Sequence, residues 1–344
     1  MEDKFMQRAI ELAYLGLGKV SPNPMVGCVI VKNGKIIGEG WHKEFGGPHA
    51  EVNALNSVSE VEQIQGCDVY VTLEPCSHQG KTPPCADLLV TQGVKNVYVA
   101  NQDVNPLVAG KGIRKLQDAS VQVSVGIGGK EGAILNKRFF TFHMKKRPYI
   151  ILKWAQTADR FIARKNFDSK WISNEYSRQL VHKWRAEEDA VMVGSNTAVF
   201  DNPKLNVRDW PSPVKQPVRL VIDPNLKVPA SHALFDGSQK TIIYNLKKSE
   251  SGKNVFLIKI EEQDFLDHVL RDLQKRDIQS VIVEGGAYLI NSLISKSLWD
   301  EARIFVTDIS FGEGIKAPDL FNATLHEKRK IFNDEVHFFK NTNG

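Results

Sequence analysis

His49 and Glu51 stand two positions apart in GGPHAEVNAL, at what reads as a helix start, and Cys76 and Cys85 each follow a proline in TLEPCSHQGKTPPC. One imidazole and two thiols are donors that tetrahedral zinc takes, and three ligands leave the fourth position open, as catalytic sites do. A carboxylate two residues from a ligand can reach an activated water without binding the metal, take its proton and pass it to a leaving amine. The chemistry these types suit is hydrolytic removal of an amino group. Cys28 and Cys67 lie in or beside apolar strands and read as small hydrophobes.

The elements that must place these groups can be read around them. MEDKFMQRAIELAYLGLG is an amphipathic helix with Phe5, Ala9, Leu12 and Ala13 on one face and Asp3 as its cap. A stiff SPNP loop leads to MVGCVIV and KIIGEGW, and Asn33-Gly34 between them signals a hairpin. A helix follows His49, the strand CDVYVTL ends just before Cys76, and a helix over 84–91 carries Cys85. Cys76, past a strand end, is where a turn or helix can aim N–H groups at a thiolate. NVYVA and VQVSVGI add strands, and the alternation predicts a three-layer α/β domain.

The pattern resets at HMKKRPYIILKW, which puts a boundary near residues 143–147. Beyond it YIILKWA, AVMVG, VRLVI, KTIIYN, NVFLIKI, SVIVEGG and ARIFVT read as strands, with helices near 174–186, 262–275 and 286–296. This is a second α/β domain. It lacks the G-x-G-x-x-G dinucleotide fingerprint. SVIVEGGAYLINSLI offers a weaker phosphate signal, an apolar strand, two glycines and a helix N-terminus.

Composition bounds the partners. The 344 residues favour two domains, and 42% hydrophobic with 25% charged residues is ordinary for a globular protein. A net charge of +5, interspersed rather than blocked, suits anionic small molecules better than nucleic acid. Acids in the first residues argue against a secretory signal, and no apolar run is long enough to span a membrane. Four cysteines make no disulfide framework, so a cytoplasmic location is expected.

H-x-E with P-C-x-x-C marks zinc nucleobase deaminases, but here eight residues rather than two separate the cysteines. With that insertion, PCSHQGKTPPC closely resembles the zinc motif of the riboflavin-biosynthesis pyrimidine deaminases, as do SPNPMVG, HAE, VTLEPC and NPLVAGKGI. The resemblance implies a cytidine-deaminase-like domain over residues 1–145, with zinc on His49, Cys76 and Cys85 and Glu51 moving the proton. It also implies a substrate, a diaminopyrimidinone carrying a phosphoribosylamino group, held by Asn23, His42, His78, Lys81, Asn101 and Asp103. Val104 stands where that family usually has proline.

KWAQTADRFIA, SKWIS, VGSNTAVFDNPKLNVR and VEGG resemble, in order and spacing, the reductase domain of the same pathway. That implies a dihydrofolate-reductase-like α/β domain over residues 146–344 that uses NADPH. Ala155, Trp171, Thr197, Asp201, Gly286, Ala287 and Tyr288 would touch the cofactor. Ser169, Arg185, Leu205, Arg208 and Glu284 would touch substrate, the two arginines as charge-assisted partners of its phosphate. Lys153 would assist proton transfer to the opening sugar. Arg160 replaces a usual glycine and Asn202 a usual aspartate, and Arg160 should need a less permissive turn.

Together these imply a bifunctional homo-oligomeric enzyme: zinc-dependent deamination, then NADPH-dependent reduction of ribosyl to ribityl. The alternative is a deaminase whose reductase-like half only binds ligand. An editing deaminase of nucleic acid would need a basic strip interleaved with aromatics, which the zinc segment lacks.

Overall fold

The computed structural model describes residues 2–60, 63–77, 83–106, 108–170, 172–211 and 215–343. The chain divides into two compact units, Met1–Lys146 and Arg147–Gly344.

In the first unit α1 (Glu2–Tyr14) precedes a hairpin of β1 (Gly27–Lys32) and β2 (Lys35–Trp41). Asn33 and Gly34 both take positive φ, 51° and 74°, the backbone a two-residue hairpin turn needs to follow strand twist. Lys32 and Lys35 pair across it. Then come α2 (Ala50–Asn56), β3 (Asp68–Leu73), α3 (Cys85–Thr91), β4 (Asn96–Asn101), α4 (Lys111–Asp118), β5 (Gln122–Val125), α5 (Gly129–Leu135) and α6 (Lys137–Lys145).

The sheet order is β2-β1-β3-β4-β5, antiparallel across β2, β1 and β3 and parallel from β3 to β5. Met6, Ala9 and Ile10 of α1 pack on one face against Val29, Val31 and Tyr70. Ala54 of α2, Leu89 of α3 and Leu116 of α4 fill the other with Cys28, Ile30, Val69 and Val97. These are the three expected layers.

Glycine sets how close α2 can come. A Cβ on Gly40 of β2 would stand 2.2 Å from the Ala54 nitrogen and 2.6 Å from the Ala50 carbonyl oxygen, so helix backbone rests directly on strand backbone. One expectation fails locally. Asp3 lies inside α1, which already starts at Glu2, so it is a first-turn acid and not the cap.

The second unit begins with β6 (Tyr149–Gln156), the short β7 (Phe161–Ala163) and α7 (Glu175–Glu187). β8 (Ala190–Gly194), α8 (Ser195–Asp201), β9 (Val218–Ile222), β10 (Thr241–Asn245), β11 (Glu250–Ser251) and β12 (Val255–Lys259) follow. The rest are α9 (Phe265–Lys275), β13 (Ser280–Val283), α10 (Ala287–Ser295), β14 (Glu301–Val306), β15 (Ile315–Lys316), β16 (Ala323–Ile331) and β17 (Asp334–Asn341). Ten strands form one sheet in the order β11-β12-β10-β9-β8-β13-β6-β14-β17-β16.

From β12 to β14 every neighbour is parallel, and both faces are covered, which is why these strands read as unbroken apolar runs. Leu152, Met192, Leu220 and Val283 meet α9 and α10 on one side. Ile151, Val193, Val221 and Phe305 meet Val181 and Trp184 of α7 on the other. The β16–β17 hairpin caps one edge, and its outer strand carries Glu327, Lys328, Arg329 and Lys330, charges that discourage pairing with another edge. Among the described residues no helix is long and apolar enough to cross a membrane.

Candidate functional site

The metal-ligating types come together in the first unit. His49 is the N-cap of α2, in extended backbone with φ −69° and ψ 165°, and this puts Glu51 in the first helical turn. Cys85 opens α3, and its N–H donates to Cys76 Sγ at 3.3 Å. His49 Nδ1 lies 3.6 Å from Cys76 Sγ and 3.3 Å from Cys85 Sγ. All three ligand atoms fall within 4.8 Å of one another. Two soft sulfurs and an imidazole nitrogen converging on one point fit zinc.

The electrostatics are those of a shared proton. The Cys85 thiol donates to Cys76, which draws Cys76 well below the ordinary thiol range despite burial, and His49 adds to this. Cys85 is correspondingly held up beside the Cys76 sulfur. Glu51 is 3% exposed, and burial first, then the charge of Cys76, pushes its carboxyl up to about 7.

His42 and Asn23 flank this cluster. His42 Nδ1 donates to the Pro48 carbonyl at 3.0 Å, leaving Nε2 to accept from the Asn23 amide at 3.0 Å. Burial lowers the His42 pKa, in keeping with that neutral tautomer, and its ring stands edge-on to His49 at 5.6 Å. The Asn23 loop is fixed by a residue that sequence reading missed. Buried Asn136 accepts from the Met25 N–H at 2.8 Å and donates to the Met25 carbonyl at 2.8 Å. Its distance along the chain leaves no local signal.

Asn101 and Asp103 are engaged elsewhere. The Asn101 amide donates to the Gly129 carbonyl at 2.9 Å, and Asp103 Oδ1 accepts from the Asn105 N–H at 2.7 Å. His78, Lys81 and Trp171 lie outside the described residues.

In the second unit a cleft of about 1290 Å³ opens where the parallel strands end, bounded by Ala155, Gly194, Ile222, Leu246 and Glu284. Open α/β sheets place ligands at these carboxyl ends. Every described residue expected to touch cofactor or substrate in this half lines it, as does Lys153: Lys153 and Ala155 on β6, Ser169, Thr197 and Asp201, Leu205 and Arg208, Arg185 on α7, and the Glu284 to Tyr288 turn. Gly285 and Gly286 take φ of 145° and 87°, and a Cβ on Gly285 would meet Thr197 at 3.1 Å. L side chains rarely adopt these φ values, so both positions favour glycine at the turn that leads into α10. Tyr288, 86% exposed, stands at the same turn. Ser169 Oγ donates to Asp201 Oδ1 at 3.2 Å, and burial raises the Asp201 pKa.

Arg185 and Glu284, both expected to touch substrate, pair with each other in the cleft. Arg185 Nε and Nη2 bind the two oxygens of Glu284 at 2.5 and 2.7 Å, and Nη1 donates to the Asn206 carbonyl at 3.0 Å. Lys153 Nζ stands 4.0 Å from Glu284, and burial lowers its pKa. Burial alone would raise Glu284, but Arg185 and Lys153 hold it below the usual range.

Arg208 is half-exposed, touching Asn206 Oδ1 at 3.1 Å and Asp209 at 3.4 Å. His182, missed in sequence reading, also lines the cleft, 3% exposed with Nε2 3.2 Å from Asp209. The two departures sit in left-handed backbone. Arg160 has φ 65° and pairs with Asp319 at 2.5 Å, while Asn202 has φ 42° and accepts from the Ala233 N–H at 2.8 Å.

Comparison with known proteins covers both units. The family model described as RibD C-terminal domain matches residues 148–337. The model described as cytidine and deoxycytidylate deaminase zinc-binding region matches residues 1–101. The riboflavin biosynthesis protein RibD of Aquifex aeolicus is 40% identical, over 99% of this chain and 98% of its own length. That of Escherichia coli is 38% identical over 89% of this chain and 88% of its own. Among solved structures, the diaminohydroxyphosphoribosylaminopyrimidine deaminase/5-amino-6-(5-phosphoribosylamino)uracil reductase of Thermotoga maritima superposes with a TM-score of 0.90, at 35% identity over 98% of both chains. Acinetobacter baumannii RibD gives 0.90 at 36% identity, again over 98% of both.

Proposed function

The chain belongs to the RibD family of riboflavin biosynthesis, a deaminase joined to a reductase, and from that membership we propose which molecules and residues its two activities use. Residues 1–145 deaminate a diaminopyrimidinone carrying a phosphoribosylamino group, with zinc. Residues 146–344 reduce the ribosyl group of the product to ribityl, with NADPH. The enzyme works on these small molecules in the cytoplasm as a homo-oligomer.

His49, Cys76 and Cys85 hold the zinc, which when bound activates water at neutral pH. Glu51 does the proton work. Its buried carboxyl takes a proton from water and gives it to the departing ammonia. Asn23 and His42 orient the pyrimidine, with His78 and Lys81 on the inserted loop and Asn101 and Asp103 beyond β4. The single observation that carries this half is the convergence of the three ligand atoms beside buried Glu51.

NADPH supplies hydride when bound. The Gly286 to Tyr288 turn, with Ala155, Thr197, Asp201 and Trp171, receives the cofactor. Ser169, Leu205 and Arg208 receive the substrate, and Arg208 meets its phosphate. Arg185 and Glu284 also touch the substrate, Arg185 as a second partner of its phosphate, and Lys153 beside them moves a proton to the opening sugar. These residues gather around one cleft, as a reductase site requires.

The test is to supply the diaminopyrimidinone nucleotide with and without NADPH and identify the products. Deaminated ribosyl product without NADPH and ribityl product with it are expected. Ribosyl product that persists with NADPH would instead assign a binding role to the second unit.

A further inference from the structure

Glu74 is 4% exposed and sits two residues before Cys76. Its Oε2 accepts from the N–H groups of Asp103 at 3.2 Å and Gly110 at 2.9 Å. Its Oε1 accepts from Gly112 at 2.8 Å and Ile113 at 3.2 Å. The last two belong to the first turn of α4, where N–H groups lack helical partners and the helix dipole favours an anion. The chain supplies that anion from its own strand end.

The joint is tight on both sides. The Glu74 N–H donates to the Asn101 carbonyl at 3.0 Å, tying the end of β3 to the end of β4. A Cβ on Gly112 would stand 1.9 Å from the Pro75 carbonyl oxygen, so α4 packs backbone against the one residue between Glu74 and Cys76.

We propose that Glu74 is a positioning residue of the deaminase site: its carboxylate locks the Pro75-Cys76 step onto α4, fixing the Cys76 sulfur against Cys85 and His49, and holds the Asp103 loop at the same time. The proposal rests on the zinc reading of those three ligands. It depends on a carboxylate because both oxygens must accept. Glutamine would turn an NH₂ group toward two N–H donors and leave buried donors without partners. Partners that orient metal ligands at one remove commonly change metal affinity by about ten- to a hundredfold.

The full-length protein tests this. Zinc affinity is measured by competition with a chromogenic chelator, deaminase kcat and KM separately, and reduction of pre-deaminated substrate as an internal control. Ile30→Ala, fully buried in the same core, is the comparison for a variant that only loses stability. Glu74→Gln should weaken zinc by about ten- to a hundredfold and raise the deaminase KM, with reduction unchanged and Ile30→Ala holding zinc normally. Wild-type zinc affinity and KM in Glu74→Gln would overturn the proposal, as would equal zinc loss in Ile30→Ala. If Glu74→Gln does not fold, Glu74→Asp replaces it: both acceptors remain one methylene short, zinc should still weaken, and unchanged affinity overturns the proposal. A wild-type chain that takes up no zinc would sink the metal reading itself, and this inference with it.

Discussion

Glu51 and His182 are both buried, and burial moves them in opposite directions because one is charged without its proton and the other with it. For Glu51 the consequence is catalytic. Glu51→Gln should keep zinc, since the ligands are untouched, yet lower deamination by about a hundred- to ten-thousandfold. Substantial residual turnover would assign the proton to another group. For His182 the consequence is stability. Burial first, then Arg185 and Arg208, pushes its pKa down to about 4 from 6.5, against the pull of Asp209 and Glu284. Between those values the unfolded chain binds a proton that the folded chain refuses. The contribution is therefore complete above about pH 6.5 and lost as pH falls toward 4. Urea unfolding at pH 7.5 and 4.5 should show this loss, and His182→Gln should shrink it; an unchanged difference would acquit the histidine. Arg208→Ala, removing a half-exposed guanidinium, should weaken substrate about ten- to a hundredfold while sparing NADPH, which calorimetry with each ligand can separate.

At the scale of elements, the helix that carries His49 and Glu51 owes its position to a strand with almost no side chains under it. Gly40→Ala would drive a methyl into the α2 backbone at Ala54 and Ala50, so the helix must lift and move both site residues. Deamination and zinc affinity should fall together, with reduction intact; a variant that keeps both would mean that α2 can slide without cost. This contact also marks the limit of what the sequence could tell. The Asn33-Gly34 hairpin and the buried parallel strands were legible because turn chemistry and apolar runs are local. So was the gathering of His49, Cys76 and Cys85 from two short motifs, whereas Arg160 did not bring the less permissive turn expected of it and sits at φ 65°. The helices α4 to α6 were not read, since α4 and α5 are short and interrupted by glycines whose purpose is contact with distant backbone. The β16–β17 hairpin was hidden by a charged outer strand. Glu74, Asn136 and His182 escaped because their partners come from other segments, and the pairing of Arg185 with Glu284 was hidden for the same reason.

At the scale of the molecule, each unit has its own core, the first built around Ile30, Val69 and Val97 and the second around Ile150, Leu220 and Val281. A fragment of residues 146–344 should therefore fold and bind NADPH without zinc, as read by cofactor fluorescence or calorimetry. A folded fragment that ignores NADPH would refute the reductase assignment. The place of β6 in its sheet bears on how such a chain is made. β6 is the first strand of the second unit, but it ends up between β13 and β14, among the last segments to leave the ribosome. Its Tyr149 to Leu152 run, largely apolar and destined for burial, emerges long before either neighbour exists. Pairings so distant in sequence form late and leave sticky strands waiting in the meantime. The deaminase half can thus be finished while its companion is still being synthesised. A nascent chain halted before Ser280 would already hold the whole first unit, trailed by a strand whose two neighbours do not yet exist.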